Sequence, residues 1–309
     1  MKARITGTGF YVPPTVVTND SLAAYLPTSS AWIERHLGLR ERRVVKELDT
    51  ADLACAATGY ALDAAGLMAT DIDLLIVATT TPARIAPATA SLVAERLGAG
   101  RAVAFDIAAV CSGFMYALSL ARHMIEAGTQ RRALVIGSDT FSRITDWQDR
   151  DCVYFGDGAG AVVVEQGPGP GTIADLHLFA YADGGKGFTV LPGAATYTMN
   201  GPAIKAHALS VLPGAISDLV AAHGLDMADI SWLVPHQAGI GVLRGVAEKI
   251  GYPFERVLTS MGEYGNTAAA SIPLTLALAV QAGKLEPGQR IVLVSVGAGW
   301  TWAVGLVEW

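Results

Sequence analysis

The chain has 309 residues, 51% of them hydrophobic and only 16% charged, with a formal net charge of −6. That length suits one large domain or two moderate ones, and the apolar excess calls for a large core and a buried subunit interface. The acidic balance, with no basic run, argues against nucleic acid as a partner. No apolar run reads as a membrane span; the longest candidate, Ile107 to Ala121, contains Ser and Gly and reads as a core helix. The opening MKARITGTGFYVPP has no signal-peptide apolar region, and three cysteines without framework spacing suit a reducing, cytoplasmic setting. The six histidines and three cysteines show no metal-ligand spacing, so no metal is expected.

Residues 3–10 read as a first strand, followed by a Pro-rich connection and short helices from Asp20 and Ser30. Arg40-Glu-Arg-Arg reads as a basic, solvated turn. Thr50 to Gly66 is a helix of small residues, capped by Asp49 or Thr50 and stopped by Gly66, with Cys55 in its core face. Leu74 to Thr79 is an apolar strand, Thr80 to Pro87 a loop, and Ala88 to Leu97 a helix. Ala102 to Gly128 reads as a strand, a tight turn at Cys111-Ser112-Gly113, and a buried helix. Cys111 falls at the helix start. Orphan N–H groups and the helix dipole favour an anion there, which predicts a lowered thiol pKa and a nucleophile. A small buried core cysteine is the other reading of Cys111 alone. Ala133 to Gly137 is a strand, and Phe141 to Arg150 an irregular polar loop. The cluster FGDGAGA at 155–161 has strand-like runs on both sides. It passes into a strand rather than a helix, so it reads as a close backbone approach and not a dinucleotide site.

Gly167 to Gly171, GPGPG, divides the chain, and the pattern then restarts. Residues 229–235 echo 71–77, and the Val296-Gly-Ala-Gly run echoes Phe155-Gly-Asp-Gly. Asn266 to Gly283 echoes Cys111 to Gly128 with the same 17-residue spacing. Three echoes in order predict a duplicated α/β unit, residues 1–170 and 171–309, with mostly parallel sheets. Cys111 and Asn266 would then stand at equivalent helix starts. His236 ends an apolar strand, the edge where open α/β sheets place their sites. Alone, the histidine and the asparagine read as structural; with Cys111 they read as a Cys–His–Asn constellation.

Cys111-Ser-Gly-Phe, Phe155-Gly-Asp-Gly-Ala-Gly-Ala, Pro235-His-Gln-Ala, Gly265-Asn-Thr-Ala-Ala-Ala-Ser-Ile-Pro and Gly297-Ala-Gly-Trp-Thr-Trp resemble the β-ketoacyl-acyl-carrier-protein synthase III group of thiolase-fold condensing enzymes. The resemblance covers nearly the whole chain. It implies a five-layered αβαβα homodimer that works without metal or redox cofactor on a coenzyme A thioester. It implies acyl transfer from acyl-CoA to Cys111, then a decarboxylating Claisen condensation with malonyl-acyl-carrier protein. His236 and Asn266 would stabilise the enolate, and the Cys111 and Ala298 N–H groups the tetrahedral intermediate. The CoA-contacting positions fall on Thr28, Trp32 and Arg150. His36 stands where the group has arginine, and Gly239 and Gly241 replace the Asn and Arg of its usual His-Gln-Ala-Asn-Leu-Arg. Arg244, Lys205 and Lys249 are candidates to restore carrier-protein docking.

In the same group the loop matching 80–87 crosses the dimer and closes the partner's acyl tunnel. Ala86 stands there in place of a bulky aromatic, beside Arg84 and Ile85, which suggests primers longer or more branched than acetyl. Arg84 either selects a primer with a distal carboxylate or faces solvent. Three other readings stay open: transfer of the acyl group to an alcohol or amine without condensation, a non-catalytic partner subunit, and a papain-like hydrolase. Retention of Cys111, His236 and Asn266 argues against the second. The absence of a Cys-Gly-Ser-Cys-Trp flank argues against the third.

Overall fold

The computed structural model describes residues 2–181, 187–191 and 193–309. The first half runs β1 (Ala3–Tyr11), β2 (Thr15–Thr18), α1 (Asn19–Ala23), α2 (Ser30–Leu37), β3 (Glu41–Val44), α3 (Thr50–Ala65), β4 (Leu74–Ala78), α4 (Thr89–Leu97), β5 (Val103–Ile107), α5 (Gly113–Glu126), β6 (Arg132–Asp139) and β7 (Gly158–Gln166). The second runs β8 (Thr172–Ala180), β9 (Phe188–Thr189), β10 (Thr198–Met199), α6 (Gly201–Ala222), β11 (Trp232–Pro235), α7 (Ile240–Lys249), α8 (Met261–Tyr264), α9 (Ser271–Gln281), β12 (Arg290–Gly297) and β13 (Thr301–Glu308). Local chemistry sets several boundaries. The Asp49 carboxylate accepts from Asp52 N at 2.8 Å while Asp52 accepts from Asp49 N at 2.8 Å, a reciprocal cap that starts α3. Gly66 ends it at φ 68°, a left-handed backbone that glycine adopts freely.

Nine strands follow the order β11-β12-β13-β8-β1-β7-β6-β4-β5. Among the described residues the two sheet portions meet between β1 and β8, at the pair Arg4–Thr172. Alternation along the strands sorts the core into layers. In β4, Leu74, Ile76 and Ala78 face the central layer with α5 and α9, while Leu75 and Val77 face α3 and α4. In β12, Ile291 and Leu293 face the centre, and Val292, Val294 and Val296 face α6 and α7. The result is the five-layered αβαβα arrangement of a thiolase fold.

Four expectations are corrected. The sheet is mixed: β4 pairs in parallel with β5 and β6, and β11 with β12, but β1–β7, β6–β7, β12–β13 and β13–β8 are antiparallel. The chain returns alongside its own strand at β7 and β13, which needs no crossover helix. Arg40-Glu-Arg-Arg is not a solvated turn. Arg42 is fully buried in β3 and donates to Val17 O, Asn19 Oδ1 and Val153 O. Burial without a carboxylate partner lowers its pKa to about 10. The run before the FGDG cluster is a 3₁₀ turn, Arg150–Val153, and not a strand. Finally, α6 is apolar and long enough to cross a membrane by length and composition alone. It packs on β12, β13 and α7 as an outer-layer helix.

Candidate active site

Cys111 sits in a 3₁₀ turn, Val110–Ser112, that leads into α5. Val110 holds φ 47°, a strained value for a β-branched residue. The second half repeats this turn at Ala268–Ala270 before α9, with Ala268 also at φ 47°. Both the turns and the helix starts lie 158 positions apart (268 − 110 and 271 − 113). The backbone equivalent of Cys111 is therefore Ala269. Asn266 lies three residues earlier, so the expectation of equivalent helix starts is corrected. The 17-residue spacing misled because α9 is three residues shorter than α5.

The two turns touch: a Cβ on Gly113 would lie 3.8 Å from the Cβ of Ala269. Asp139, at the end of β6, fixes them in register. One carboxylate oxygen accepts from Thr80 N at 2.7 Å, Thr81 N at 3.1 Å and the Thr79 and Thr81 hydroxyls; the other accepts from Ala269 N at 3.1 Å. Gly297 closes the third side. A Cβ there would lie 2.9 Å from Ser112 N, so only glycine lets β12 bring Ala298 up to Cys111. Ser112 Oγ donates to Thr301 O at 3.1 Å and ties the turn to β13.

His236 follows β11, held by its N–H to Val294 O at 2.8 Å. Gln237 is fully buried and locks the loop, accepting from Ser260 N at 2.8 Å and donating to Pro235 O at 2.8 Å. His236 Nδ1 lies 2.7 Å from Ser271 Oγ, and that hydroxyl donates to Ala268 O at 2.5 Å. The single hydroxyl proton is thus committed, so Nδ1 is the protonated nitrogen and Nε2 has a free lone pair. Asn266 Oδ1 accepts from Ala268 N at 2.9 Å, leaving its amide N–H groups as donors. The FGDG loop grips Asn266: Asn266 N donates to Tyr154 O at 2.9 Å and Gly156 N to Asn266 O at 3.1 Å. A Cβ on Gly156 would lie 2.1 Å from Tyr264 O, so this glycine is a close-approach residue.

Cys111, His236, Asn266 and Ala298 all line one cavity of about 390 Å³ that opens to solvent past His36, with Phe141, Phe155 and Phe188 in its wall. Two effects oppose the lowering expected of a thiol at a helix start. Burial pushes the Cys111 thiol up, and the Asp139 carboxylate pushes it further. Burial also lowers His236 to about 4. The resting pair is a neutral thiol and a neutral imidazole.

At the cavity mouth, His36 stacks on Trp32 at 4.8 Å, and the Arg150 guanidinium lies 4.0 Å from the Trp32 ring. The Thr28 hydroxyl oxygen is buried with no partner among the described residues. Lys205 lines the cavity, but Arg244 and Lys249 do not. The exposed loop residues Arg84, Ile85 and Ala86 do not line it either. Arg84 and Ile85 border an adjoining surface groove, which shares Val110, Phe188 and Ala298 with the cavity. Asp139, Ser271 and Gln237 were missed from sequence. Ser271 and Gln237 stand inside the quoted motifs, but only the folded contacts give them work. Among the described residues no group of three His, Cys, Asp or Glu is placed to hold a metal ion.

Residues 105–184 match the 3-oxoacyl-[acyl-carrier-protein] synthase III family, and residues 220–309 match the C-terminal family of the same enzymes. The chain is 44% identical over 323 aligned positions to a β-ketoacyl-[acyl-carrier-protein] synthase III of Paramagnetospirillum magneticum, covering 100% of this chain and 99% of the relative. It is similar to the crystal structure of 3-oxoacyl-[acyl-carrier-protein] synthase III from Aquifex aeolicus, with TM-score 0.96, 37% identity, and 99% and 100% of the two chains covered. It is also similar to the priming β-ketosynthase of the R1128 polyketide pathway, with TM-score 0.93, 29% identity, and 99% and 96% covered. On full-length similarity and shared fold, the chain belongs to the 3-oxoacyl-[acyl-carrier-protein] synthase III family.

Proposed function

We propose that the protein takes an acyl group from acyl-CoA onto Cys111 and condenses it with malonyl-acyl-carrier protein, releasing CO2 and a 3-ketoacyl product. The observation that carries this reading is the single cavity lined by Cys111, His236, Asn266 and Ala298. As the Cys111 sulfur attacks the thioester carbonyl, His236 Nε2 accepts the thiol proton. The Cys111 and Ala298 N–H groups face the oxyanion. Coenzyme A departs as a thiolate and takes its proton from solvent, while the acyl group stays on Cys111. His236 now carries a proton on Nε2. With the Asn266 amide, it donates to the malonyl thioester oxygen as CO2 leaves and the enolate forms. The enolate carbon attacks the Cys111 thioester, the sulfur is expelled, and His236 returns the proton. The aromatic wall of Phe141, Phe155 and Phe188 favours loss of a charged carboxylate as neutral CO2. The reaction needs no metal or redox cofactor; the CoA thioester is a substrate.

Intact-protein mass spectrometry tests the assignment. Cys111→Ala should form no acyl adduct with acyl-CoA, while Cys55→Ala and Cys152→Ala should. Asn266→Ala should still acylate but release little CO2 from malonyl-carrier protein. An adduct on Cys111→Ala removes Cys111 from the role. An adduct that moves to an added alcohol or amine, with no CO2 released, favours simple acyl transfer. We further propose a homodimer in which the exposed loop bearing Arg84, Ile85 and Ala86 closes the groove beside the partner's cavity and so sets primer length. Its support is the full exposure of Ile85 in one chain and the residues shared by groove and cavity.

A further inference from the structure

Resting on that reading, we infer that Ser271 is a positioning residue for the acyl transfer: its hydroxyl holds the Nδ1 proton of His236 and so keeps Nε2 free to take the proton of Cys111. Ser271 opens α9, yet no side-chain cap hydrogen bond is made at that helix start. The side chain is fully buried, and its oxygen lies 2.7 Å from His236 Nδ1 and 2.5 Å from Ala268 O. Two oxygens that close repel unless a proton lies between them, and only the serine can supply it. The bond to His236 is therefore donated by the ring. The duplicated turn shows what the hydroxyl adds. Offset by the same 158 positions, the residue that matches Ser271 is Gly113, which has no side chain (271 − 113). The first half thus builds this turn and starts this helix without a hydroxyl. One stands on the copy that faces the histidine.

A hydroxyl is the group the chemistry needs at Nδ1. A carboxylate there would favour the imidazolium, which cannot accept a proton from the thiol. The serine oxygen accepts the Nδ1 hydrogen without adding a charge, so the ring stays neutral at rest. When the Cys111 proton moves to Nε2, the imidazolium keeps the same Nδ1 bond. When that proton is returned, the ring is already in the form that the next turnover requires. Thr275 separates holding the ring from holding the helix. Its hydroxyl donates to Ser271 O at 2.7 Å and pairs with Ser260 Oγ at 2.7 Å. Both bonds tie the start of α9, and neither reaches the imidazole.

Ring-nitrogen NMR of the histidine-labelled protein reads the tautomer, with His236→Gln identifying the signal among the six histidines. Wild type should show a protonated Nδ1 and a bare Nε2. In Ser271→Ala a share of the rings should carry the proton on Nε2 instead. Acylation by acyl-CoA at saturating substrate should slow by about tenfold to a hundredfold in Ser271→Ala, with little change in KM. Ser271→Thr, which keeps the hydroxyl, should recover most of the rate and the wild-type spectrum. Thr275→Val should keep both, whatever it loses in stability. A wild-type ring protonated on Nε2 overturns the inference, and that result needs no variant to fold. A Ser271→Ala protein with the wild-type spectrum or the wild-type rate also overturns it. So does an equal loss of rate in Thr275→Val, because that marks a role in the helix start alone. A wild type that shows the expected spectrum but takes no acyl group from any thioester overturns the underlying reading and, with it, the role of Ser271 in acyl transfer.

Discussion

His236 is buried in the neutral form with its pKa lowered to about 4, and Asp139 is buried with its pKa raised to about 6. Asp139 accepts five hydrogen bonds, which favour the carboxylate, yet burial outweighs them. The two groups act on stability in opposite directions over one pH window. Between about 6.5 and 4 the unfolded chain protonates His236 while the native state refuses the proton, so stability falls by about 3 kcal/mol as pH drops. Between about 6 and 4 the native state protonates Asp139 before the unfolded chain does, so stability rises by a similar amount as pH drops. Asp139→Asn should leave the histidine contribution unopposed, and His236→Gln should remove it. Urea midpoints followed from pH 7 to 4 should therefore fall more steeply in Asp139→Asn than in wild type, and less steeply in His236→Gln. Equal slopes in all three proteins would contradict the assignment. Neither group announces its burial in the sequence. Cys111 and His236 were legible because each ends an apolar run at a turn, and Asn266 because it stands among small residues just before an apolar helix. The direction of the Cys111 pKa was not, because it depends on a carboxylate 28 positions away in the chain and on packing from both halves (139 − 111).

Gly137, within β6, shows how closely the elements around the site are fitted. A Cβ there would lie 2.2 Å from Ala269 O, a backbone atom of the turn that serves both Asp139 and Asn266. Gly137→Ala should cost about 1–3 kcal/mol, because backbone on both sides must yield. It should reduce CO2 release more than acylation of Cys111. Gly214→Ala in α6 is the control: its Cβ meets nothing within 4 Å, and it should stabilise the protein by up to about 1 kcal/mol with unchanged activity. Thermal unfolding with both half-reaction assays would check the pair; a Gly137→Ala protein as stable and active as wild type would refute the fit. At this scale most helices and strands were legible from period and caps, as α3 with its Asp49 start and Gly66 stop illustrates. The antiparallel ladders were not, because β1–β7 and β13–β8 join segments far apart in sequence. Nor was β3, where Arg42 is drawn inward by the hydrogen bonds it donates to α1 and to the loop after β6.

Across the whole molecule, apolar surface remains uncovered around the loop 80–87 and the edge of the sheet. Ile85 is fully exposed and Val103, in the edge strand β5, is half-exposed. Such a surface suits a second copy of the chain. Sedimentation at micromolar concentration should give a dimer, and Ile85→Glu should shift it toward monomer without loss of helix content. A wild-type monomer would end the proposal. In the dimer, Ala86→Phe should lower the ratio of octanoyl to acetyl kcat/KM, because the added ring fills the tunnel end; an unchanged ratio would place Ala86 away from the acyl chain. The composition pointed to an interface, but which apolar residues the core leaves out could be read only from the fold.

Val110, Ala268 and Trp300 adopt left-handed backbone angles of 47°, 47° and 50°, and all three stand in the turns that surround Cys111. Each costs roughly 1–2 kcal/mol relative to a relaxed backbone. Glycine at these positions would release that tension and raise resistance to heat. It would also loosen the Cys111 turn, which packs against the Ala268–Ala270 turn and against β12 and β13. Stability gained by relaxing these turns should therefore come at a cost in reactivity, a trade-off placed at the residues around Cys111.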